Sequence, residues 1–316
     1  MENTEKKFNY KPKTPPIIRE MISDKSMELM AFLLLKLTGF SRNNIKAFLT
    51  RRQVAVDGAP VSQFNFLIHP GDTVTVFKYR IHDKLTKSLP ILFEDEELLV
   101  INKPNGLLSI ANDKERGETA YRIMTDYVRS TNALARLFIV HRIDKETSGV
   151  MIFSKKKELQ EKLQDLWNDI VLLRGYYAIV EGQLQKKKDT IRTWLKQTST
   201  QMMYSSFTPN GGQESITHYE VMAESEKYSL LRVKIDTGRK NQIRVHMKDI
   251  GTHIVGDEKY HAEEDPLGRL GLHAFALKFK HPLNEKMYSF FAPMPEVFKK
   301  LFPKSAASLK DEKSAL

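Results

Sequence analysis

His141-Arg142-Ile143-Asp144-Lys145-Glu146-Thr147-Ser148-Gly149 lies between two apolar runs, Leu137-Phe138-Ile139-Val140 and Val150-Met151-Ile152-Phe153. Two short apolar runs around a polar, glycine-ended segment read as strand, loop, strand. Such a loop presents charged groups from a rigid scaffold to a cleft. Asp144 stands in its middle, with His141, Arg142 and Lys145 close in sequence. Nearby positive charge favours the ionised form of a carboxylate, and an ionised carboxylate is a candidate nucleophile. On this chemistry alone, a surface loop with an ordinary ion pair is the competing reading.

The longer run HRIDKETSGVMIFSK, residues 141–155, resembles the catalytic motif of the RluA-type pseudouridine synthases. Its usual form is HRLD-x-x-TSG followed by an apolar run and Lys, and the one core departure here is Ile143 for Leu. The resemblance implies that Asp144 is the family's catalytic aspartate.

Three further stretches carry the same resemblance. Residues 94–108, EDEELLVINKPNGLL, are similar to the family's first motif; their Lys103-Pro104 turn is expected near the active cleft, in a supporting role. Without the family, Ile91 to Asn102 reads as two strands about an acidic turn, broken at Lys103-Pro104-Asn105-Gly106. Leu172 to Gly182 reads as a strand and is similar to the family's KRYLALVEG segment, which implies that Tyr176 is the active-site tyrosine, with Tyr177 beside it. On burial preferences alone, an aromatic residue in a strand belongs to the core more often than to a catalytic site. Residues 237–246, TGRKNQIRVH, resemble TGRxHQIRVH, with Asn241 where His is common. Asn still donates and accepts hydrogen bonds but carries no proton charge. Arg244 then matches the basic residue that pairs with the catalytic aspartate; without the family it reads as a surface helix residue. The glycine turn before this helix would leave free backbone N–H groups suited to an anion. Gly251 to Asp257, Arg269 to Ala274 and His281-Pro282 continue the resemblance.

The front of the chain has a different character. Residues 1–24 are polar, with Lys11-Pro12-Lys13 and Thr14-Pro15-Pro16, and read as an extended or flexible arm. From residue 25 to 78 the pattern is compact. Met27 to Leu37 reads as a helix ending near Gly39. Ser41 is placed to cap a second helix with Ile45, Phe48 and Leu49 on its apolar side. Val54 to Val61 reads as a hairpin around Asp57-Gly58. Pro70-Gly71-Asp72 reads as a turn into an alternating strand, 73–77. The second helix and the residues after it bear Arg42, Lys46, Arg51 and Arg52, of which Arg42 and Lys46 share a face. This run resembles the small S-four-like RNA-binding domain, whose basic second helix and hairpin contact phosphates; a solvated helix face is the plain alternative.

After a charged linker, 79–90, the remaining elements are a helix over Thr119 to Val128 and one capped by Ser154 with Leu159, Leu163, Leu166 and Trp167 on its inner face. Lys186 to Lys188 and Met202 to Gln213 read as turns or an exposed excursion, and Ser229 to Asp236 as a strand. Residues 304–316 read as a disordered tail. The fold class is α+β: a small α/β RNA-binding domain over 25–78, then a synthase domain over 91–303. The resemblance implies a long, bent, mainly antiparallel sheet flanked by helices for the latter.

With 316 residues, two domains are expected. No apolar stretch approaches the ~20 residues of a membrane span. The N-terminus shows no apolar signal core, and the chain has no cysteine, so a cytoplasmic protein is expected. A net charge of +11 suits polyanion partners. His141, His246, His253 and His273 lack metal-ligand spacing, and neither a phosphate loop nor a nucleophile elbow is present, so no metal or other cofactor is implied.

The resemblance implies isomerisation of uridine to pseudouridine in RNA, with the base flipped from its stack. Asp144, Tyr176 and Arg244 are the implied catalytic residues, and Asp144 acts either on the base or on a ribose proton. Arg142 and Arg239 join Arg42, Lys46, Arg51 and Arg52 as RNA contacts. Large-subunit ribosomal RNA is the leading substrate, with transfer RNA as the alternative. A non-catalytic RNA-binding or ribosome-assembly protein on the same fold is the competing function. A monomer is expected.

Overall fold

The computed structural model describes residues 16–78, 81, 89–111, 115, 117–132, 134–209 and 211–303. Two compact units emerge: Met1–Ser88 with Asp126–Leu134, and Leu89–Thr125 with Ala135–Leu316. In this division 126–134 groups with the front unit, which local periodicity does not reveal. The expected tail and most of the expected linker lie outside the described residues, as does the arm up to residue 15.

In the front unit, β1 (Ile17–Ile22), β2 (Met27–Glu28), α1 (Leu29–Lys36), α2 (Arg42–Thr50), β3 (Val54–Val56), β4 (Ala59–Pro60), β5 (Leu67–Ile68) and β6 (Thr73–Phe77) follow in order. A four-stranded sheet runs β1-β6-β3-β4, and β2 pairs with β5. Residues 17–22, expected to belong to the arm, are instead a strand laid antiparallel on β6. Its Ile17, Ile18, Met21 and Ile22 follow an otherwise polar stretch, and that stretch decided the expectation. α1 buries Leu29, Phe32 and Leu33, one turn apart, and Gly39 beyond its end takes φ +107°. Ser41 caps α2 by accepting from the Asn44 N–H at 3.2 Å. Asp57 and Gly58 both have positive φ, 48° and 77°, so the hairpin twists with its strands. β6 does not alternate in burial: Val74 and Val76 join the core, and Thr75 on the opposite face is covered too, donating to Glu20 Oε2 at 3.2 Å.

The second unit contains β7 (Ile91–Glu94), β8 (Leu98–Lys103), α3 (Ala120–Thr131), β9 (Phe138–Ile139), β10 (Ser148–Ser154), α4 (Lys157–Asp165), α5 (Trp167–Ile170) and β11 (Val171–Glu181). It continues with β12 (Lys188–Gln197), β13 (Met203–Ser206), β14 (Gln213–Glu224), β15 (Tyr228–Ile235), α6 (Gln242–Asp249), a 3₁₀ turn (Glu258–Tyr260), β16 (Leu272–Lys280), β17 (Met287–Phe291) and α7 (Glu296–Lys299). Only the later residues of α3, from Asp126, group with the front unit. The fold is α+β: an eleven-stranded sheet ordered β13-β12-β14-β15-β11-β16-β10-β8-β7, with β17 on β16 and β9 on β10. Among the described residues every pairing in it is antiparallel except β10 with β16, so the sheet is mixed.

That parallel pair sits next to Asp144. Ser148 faces His273 and Gly149 faces Ala274. Gly149 has φ +117°, and a Cβ there would overlap the Ala274 backbone. The glycine closing the HRID…TSG loop is thus required twice, by conformation and by proximity. One face of the sheet packs Ala178, Leu231, Val233 and Ile235 against Ile243 and Met247 of α6. Elsewhere Val150 and Ile152 pack with Leu159 and Leu163 of α4.

Three local expectations differ. Ser154 ends β10 and accepts from the Lys156 N–H at 3.1 Å, while Lys156 is the residue that precedes α4. Leu166 is exposed, because the helix breaks after Asp165 and α5 starts on a new phase. Residues 203–206, inside the expected excursion, form strand β13, and β12 begins at Lys188 and runs to Gln197, a stretch unassigned from sequence. In β12 the inward positions are Ile191, Thr193 and Leu195, and the central threonine disguises the apolar alternation.

Candidate active site

Asp144 sits on the loop entering β10, and that loop is sewn to the turn leaving β8. Ser109 Oγ donates to the Ile143 carbonyl at 2.6 Å and accepts from the Ile143 N–H at 3.3 Å. The Gly106 N–H donates to the Lys145 carbonyl at 2.9 Å, and the Asn105 amide donates to the Glu146 carbonyl. Lys103 is fully buried and donates to the carbonyls of Pro104, Leu107 and Lys145 at 3.0, 2.6 and 3.1 Å. Three acceptors match its three ammonium protons. Burial nonetheless pulls this ammonium down to about 7, opposed by the Glu146 and Asp144 charges. Lys103 is therefore a structural tie, as its place in the sequence suggested.

The loop's own cations do not surround Asp144 as their proximity in sequence implied. His141 Nε2 accepts from the Ile152 N–H at 3.2 Å, and its ring stacks on Trp167 at 5.0 Å. Burial, helped by Arg174, pushes it down to about 4, so it is a neutral strut at neutral pH. Lys145 pairs with Glu115 at 2.7 Å. Arg142 is exposed at the pocket edge.

The groups that reach Asp144 come from α6. Asn241, at φ 53° and ψ 22°, immediately precedes that helix and donates its amide N–H to Asp144 Oδ2 at 2.6 Å. Arg244 Nη1 lies 3.9 Å from the same oxygen and 3.6 Å from Glu146 Oε2. Its short contacts go to Asp257: Nε to Oδ2 at 2.8 Å and Nη2 to Oδ1 at 2.6 Å. The expected Arg244–Asp144 pair is thus a long ion pair, whereas Arg244 is only 4% exposed and committed to a buried partner. A guanidinium so buried needs a two-point carboxylate, and Asp257 supplies it.

Tyr176 stands on β11, half-buried, with Asp144 and Arg244 in the lining of one pocket. Burial pushes its hydroxyl up to about 12, Arg174 opposing and Asp144 adding to the rise. Arg142, Thr147, Arg239 and Leu272 line the same pocket. Arg239 Nε donates to the Glu214 carbonyl at 3.1 Å. Buried Gln242 holds the turn, accepting at Oε1 from the Arg239 N–H at 3.0 Å and the Thr237 hydroxyl at 2.8 Å. The five residues proposed from sequence for this unit, Arg142, Asp144, Tyr176, Arg239 and Arg244, share this pocket. In the front unit, Arg42, Lys46 and Arg51 are exposed and Arg52 is half-buried.

The family profile described as RNA pseudouridylate synthase matches residues 97–249, which span all of these pocket residues except Leu272. A Bacillus subtilis protein named as the uncharacterized RNA pseudouridine synthase YlyB is 33% identical over 281 residues, covering 86% of this chain and 92% of its own. The chain belongs to the RluA-type RNA pseudouridine synthases. Another relative of this synthase, the ribosomal large subunit pseudouridine synthase D of Vibrio cholerae, is 30% identical over 278 residues, 82% of this chain and 85% of that one. A human structure, RNA pseudouridylate synthase domain containing 1, shares the fold with a TM-score of 0.56 at 23% identity, covering 68% of this chain and 87% of its own. The synthase is therefore an isomerase with an RNA substrate. Among its described residues, no helix is long and apolar enough to cross a membrane.

Sequence reading passed over two residues that organise this site in the synthase. Asp257 was visible only as part of a glycine-containing run, and Lys259 carried no signal at all. Both lie outside residues 97–249. The Gly256-Asp257 pair, a carboxylate directly after a glycine, was the one available hint.

Proposed function

We propose that this synthase converts uridines of large-subunit ribosomal RNA to pseudouridine, with Asp144 as its catalytic carboxylate. The carrying observation is an aspartate at the pocket wall whose Oδ2 is held at 2.6 Å by Asn241 while Tyr176 lines the same pocket. The substrate reading leans on relatives named as ribosomal large-subunit enzymes.

The reaction breaks the N1–C1′ bond and forms a C5–C1′ bond; C5 loses its proton and N1 gains one, so no atom is lost overall. Asp144 serves it by adding to the base or by taking a ribose proton, and both routes use the same carboxylate. Tyr176 offers a ring for the uracil to stack on, an interaction worth about 1–3 kcal/mol per base. With its acidity suppressed, its hydroxyl stays protonated at neutral pH and acts as a donor rather than a base. Arg244 contributes positive charge behind the carboxylate. Arg142 and Arg239 meet backbone phosphates and help hold the flipped nucleotide. The front unit acts as an S-four-like RNA-binding domain through Arg42, Lys46, Arg51 and Arg52.

Pseudouridine mapping of total RNA from cells with the gene, without it, and complemented by Asp144→Asn tests this reading. A large-subunit site is expected to vanish without the gene and to return only with the wild-type chain. Loss confined to transfer RNA overturns the substrate, and restoration by Asp144→Asn overturns the catalytic role. Deleting residues 1–78 is expected to weaken RNA binding and flatten its salt dependence, each lost phosphate contact removing roughly 0.7–0.9 from the slope. Unchanged affinity excludes the front unit as a binding module.

A further inference from the structure

Asp144 has two carboxylate oxygens, and the protein treats them differently. Oδ2 receives the Asn241 amide at 2.6 Å and the Arg244 guanidinium at 3.9 Å. Among the described residues, no hydrogen bond or ion pair reaches Oδ1. The amide on Oδ2 is itself held from behind. Asn241 Oδ1 accepts from Lys259 Nζ at 2.8 Å and from the Tyr260 hydroxyl at 3.3 Å.

This arrangement leaves the amide a single orientation. An ammonium only donates and a carboxylate only accepts. Reversing the amide would turn its carbonyl towards Asp144 and its NH₂ towards Lys259, two unfavourable contacts in place of two favourable ones. The site is also shielded: Asn241 is 7% exposed, and Lys259 lies over the Tyr260 ring at 5.6 Å. Hydrogen bonds in series polarise one another where water is scarce. Asp257 sets both ends of the assembly. The carboxylate that grips Arg244 also accepts from the Tyr260 N–H at 3.1 Å, capping the turn that carries Lys259 and Tyr260.

We propose that Lys259 and Asn241 form a positioning relay that anchors Asp144 through Oδ2 and leaves Oδ1 as the reacting oxygen. The proposal rests on Asp144 being the catalytic carboxylate. It gives the nearer, hydrogen-bonded hold on that carboxylate to Asn241, and to Arg244 a supporting charge from further away. Neither Asn241 nor Lys259 touches the reacting atoms; both act through Asp144.

The test measures single-turnover pseudouridine formation and RNA affinity, with total RNA from cells lacking the gene as the probe. Asn241→Gly removes the amide while tolerating the left-handed backbone. Its rate is expected to fall about 10- to 100-fold, as for loss of a hydrogen bond to a charged group, with RNA affinity unchanged. Lys259→Met should lose less, roughly 3- to 10-fold, and Lys259→Arg should recover most of the rate. If Lys259 works through Asn241, the double variant is no slower than Asn241→Gly alone. Multiplying losses, a full rate in either single variant, or a loss seen only in RNA affinity overturns the relay. Asp144→Asn, run in parallel, separates the two readings. If that variant keeps its rate, the catalytic assignment fails; if it is inactive while Asn241→Gly and Lys259→Met are fully active, the relay alone fails.

Discussion

Arg244 and Asp257 form a two-point ion pair in which neither side chain is more than 4% exposed. The pair joins α6 to the turn after it, and through α6 it places the wall of the pocket opposite Asp144. Removing one partner of such a pair leaves an uncompensated charge in a poorly solvated site. Asp257→Ala should cost about 3–5 kcal/mol, lowering the thermal midpoint by roughly 10 °C. Asp257→Asn, which keeps an acceptor, should cost less. A melting curve for Asp257→Ala that overlays the wild type would show that the pair adds nothing to stability.

Tyr176 separates ring from hydroxyl. Its hydroxyl is pushed up to about 12, so it remains neutral across the working range. Tyr176→Phe should keep activity within about tenfold, since only a neutral hydrogen bond is lost. Tyr176→Ala, which loses the stacking face, should fall further, by about 5- to 150-fold. A collapse of more than about a thousandfold in Tyr176→Phe would assign the hydroxyl to the proton chemistry instead.

His141, His246 and His273 are each pushed down to about 4, and burial is the largest cause in all three. Their ordinary value is 6.5. Between those values the unfolded chain binds protons that the folded chain refuses. The stability contributed by neutral histidine is therefore complete above pH 6.5 and is lost as pH falls towards 4. The thermal midpoint should fall steeply below pH 6.5. His246→Gln, which can still meet the Thr193 hydroxyl that lies 2.8 Å from His246 Nε2, should make that fall shallower. An unchanged slope in His246→Gln would mean that this ring is not refusing protons in the folded state.

Much of the site was legible because its chemistry is written in contiguous stretches. Asp144, Tyr176 and Arg244 were each found within a short motif, and the structure brings all three to one pocket. The Ser41 cap and the Asp57-Gly58 turn were legible for a different reason, since both are local and depend on a few adjacent residues. What escaped was non-local. β1 and β12 draw their strand character from partners distant in sequence, β6 on Thr73–Phe77 and β14 on Gln213–Glu224, and most residues of β12 are polar. The helix break at Leu166 is marked by neither glycine nor proline in the run Lys157–Ile170.

The amino-acid sequence alone determined the family motifs, the Ser41 cap, the Asp57-Gly58 turn and a carboxylate in a loop that ends in glycine. Tertiary structure decided which charges that carboxylate meets. His141 and Lys145, its neighbours along the chain, turn to Trp167 and Glu115, while Asn241, 97 residues away, arrives at 2.6 Å. The physical reason is that charge acts through space and weakens with distance and hydration. A side chain's neighbours along the backbone are often not those it faces, and only the packing of α6 beside the β10 loop makes Asp144 and Asn241 partners.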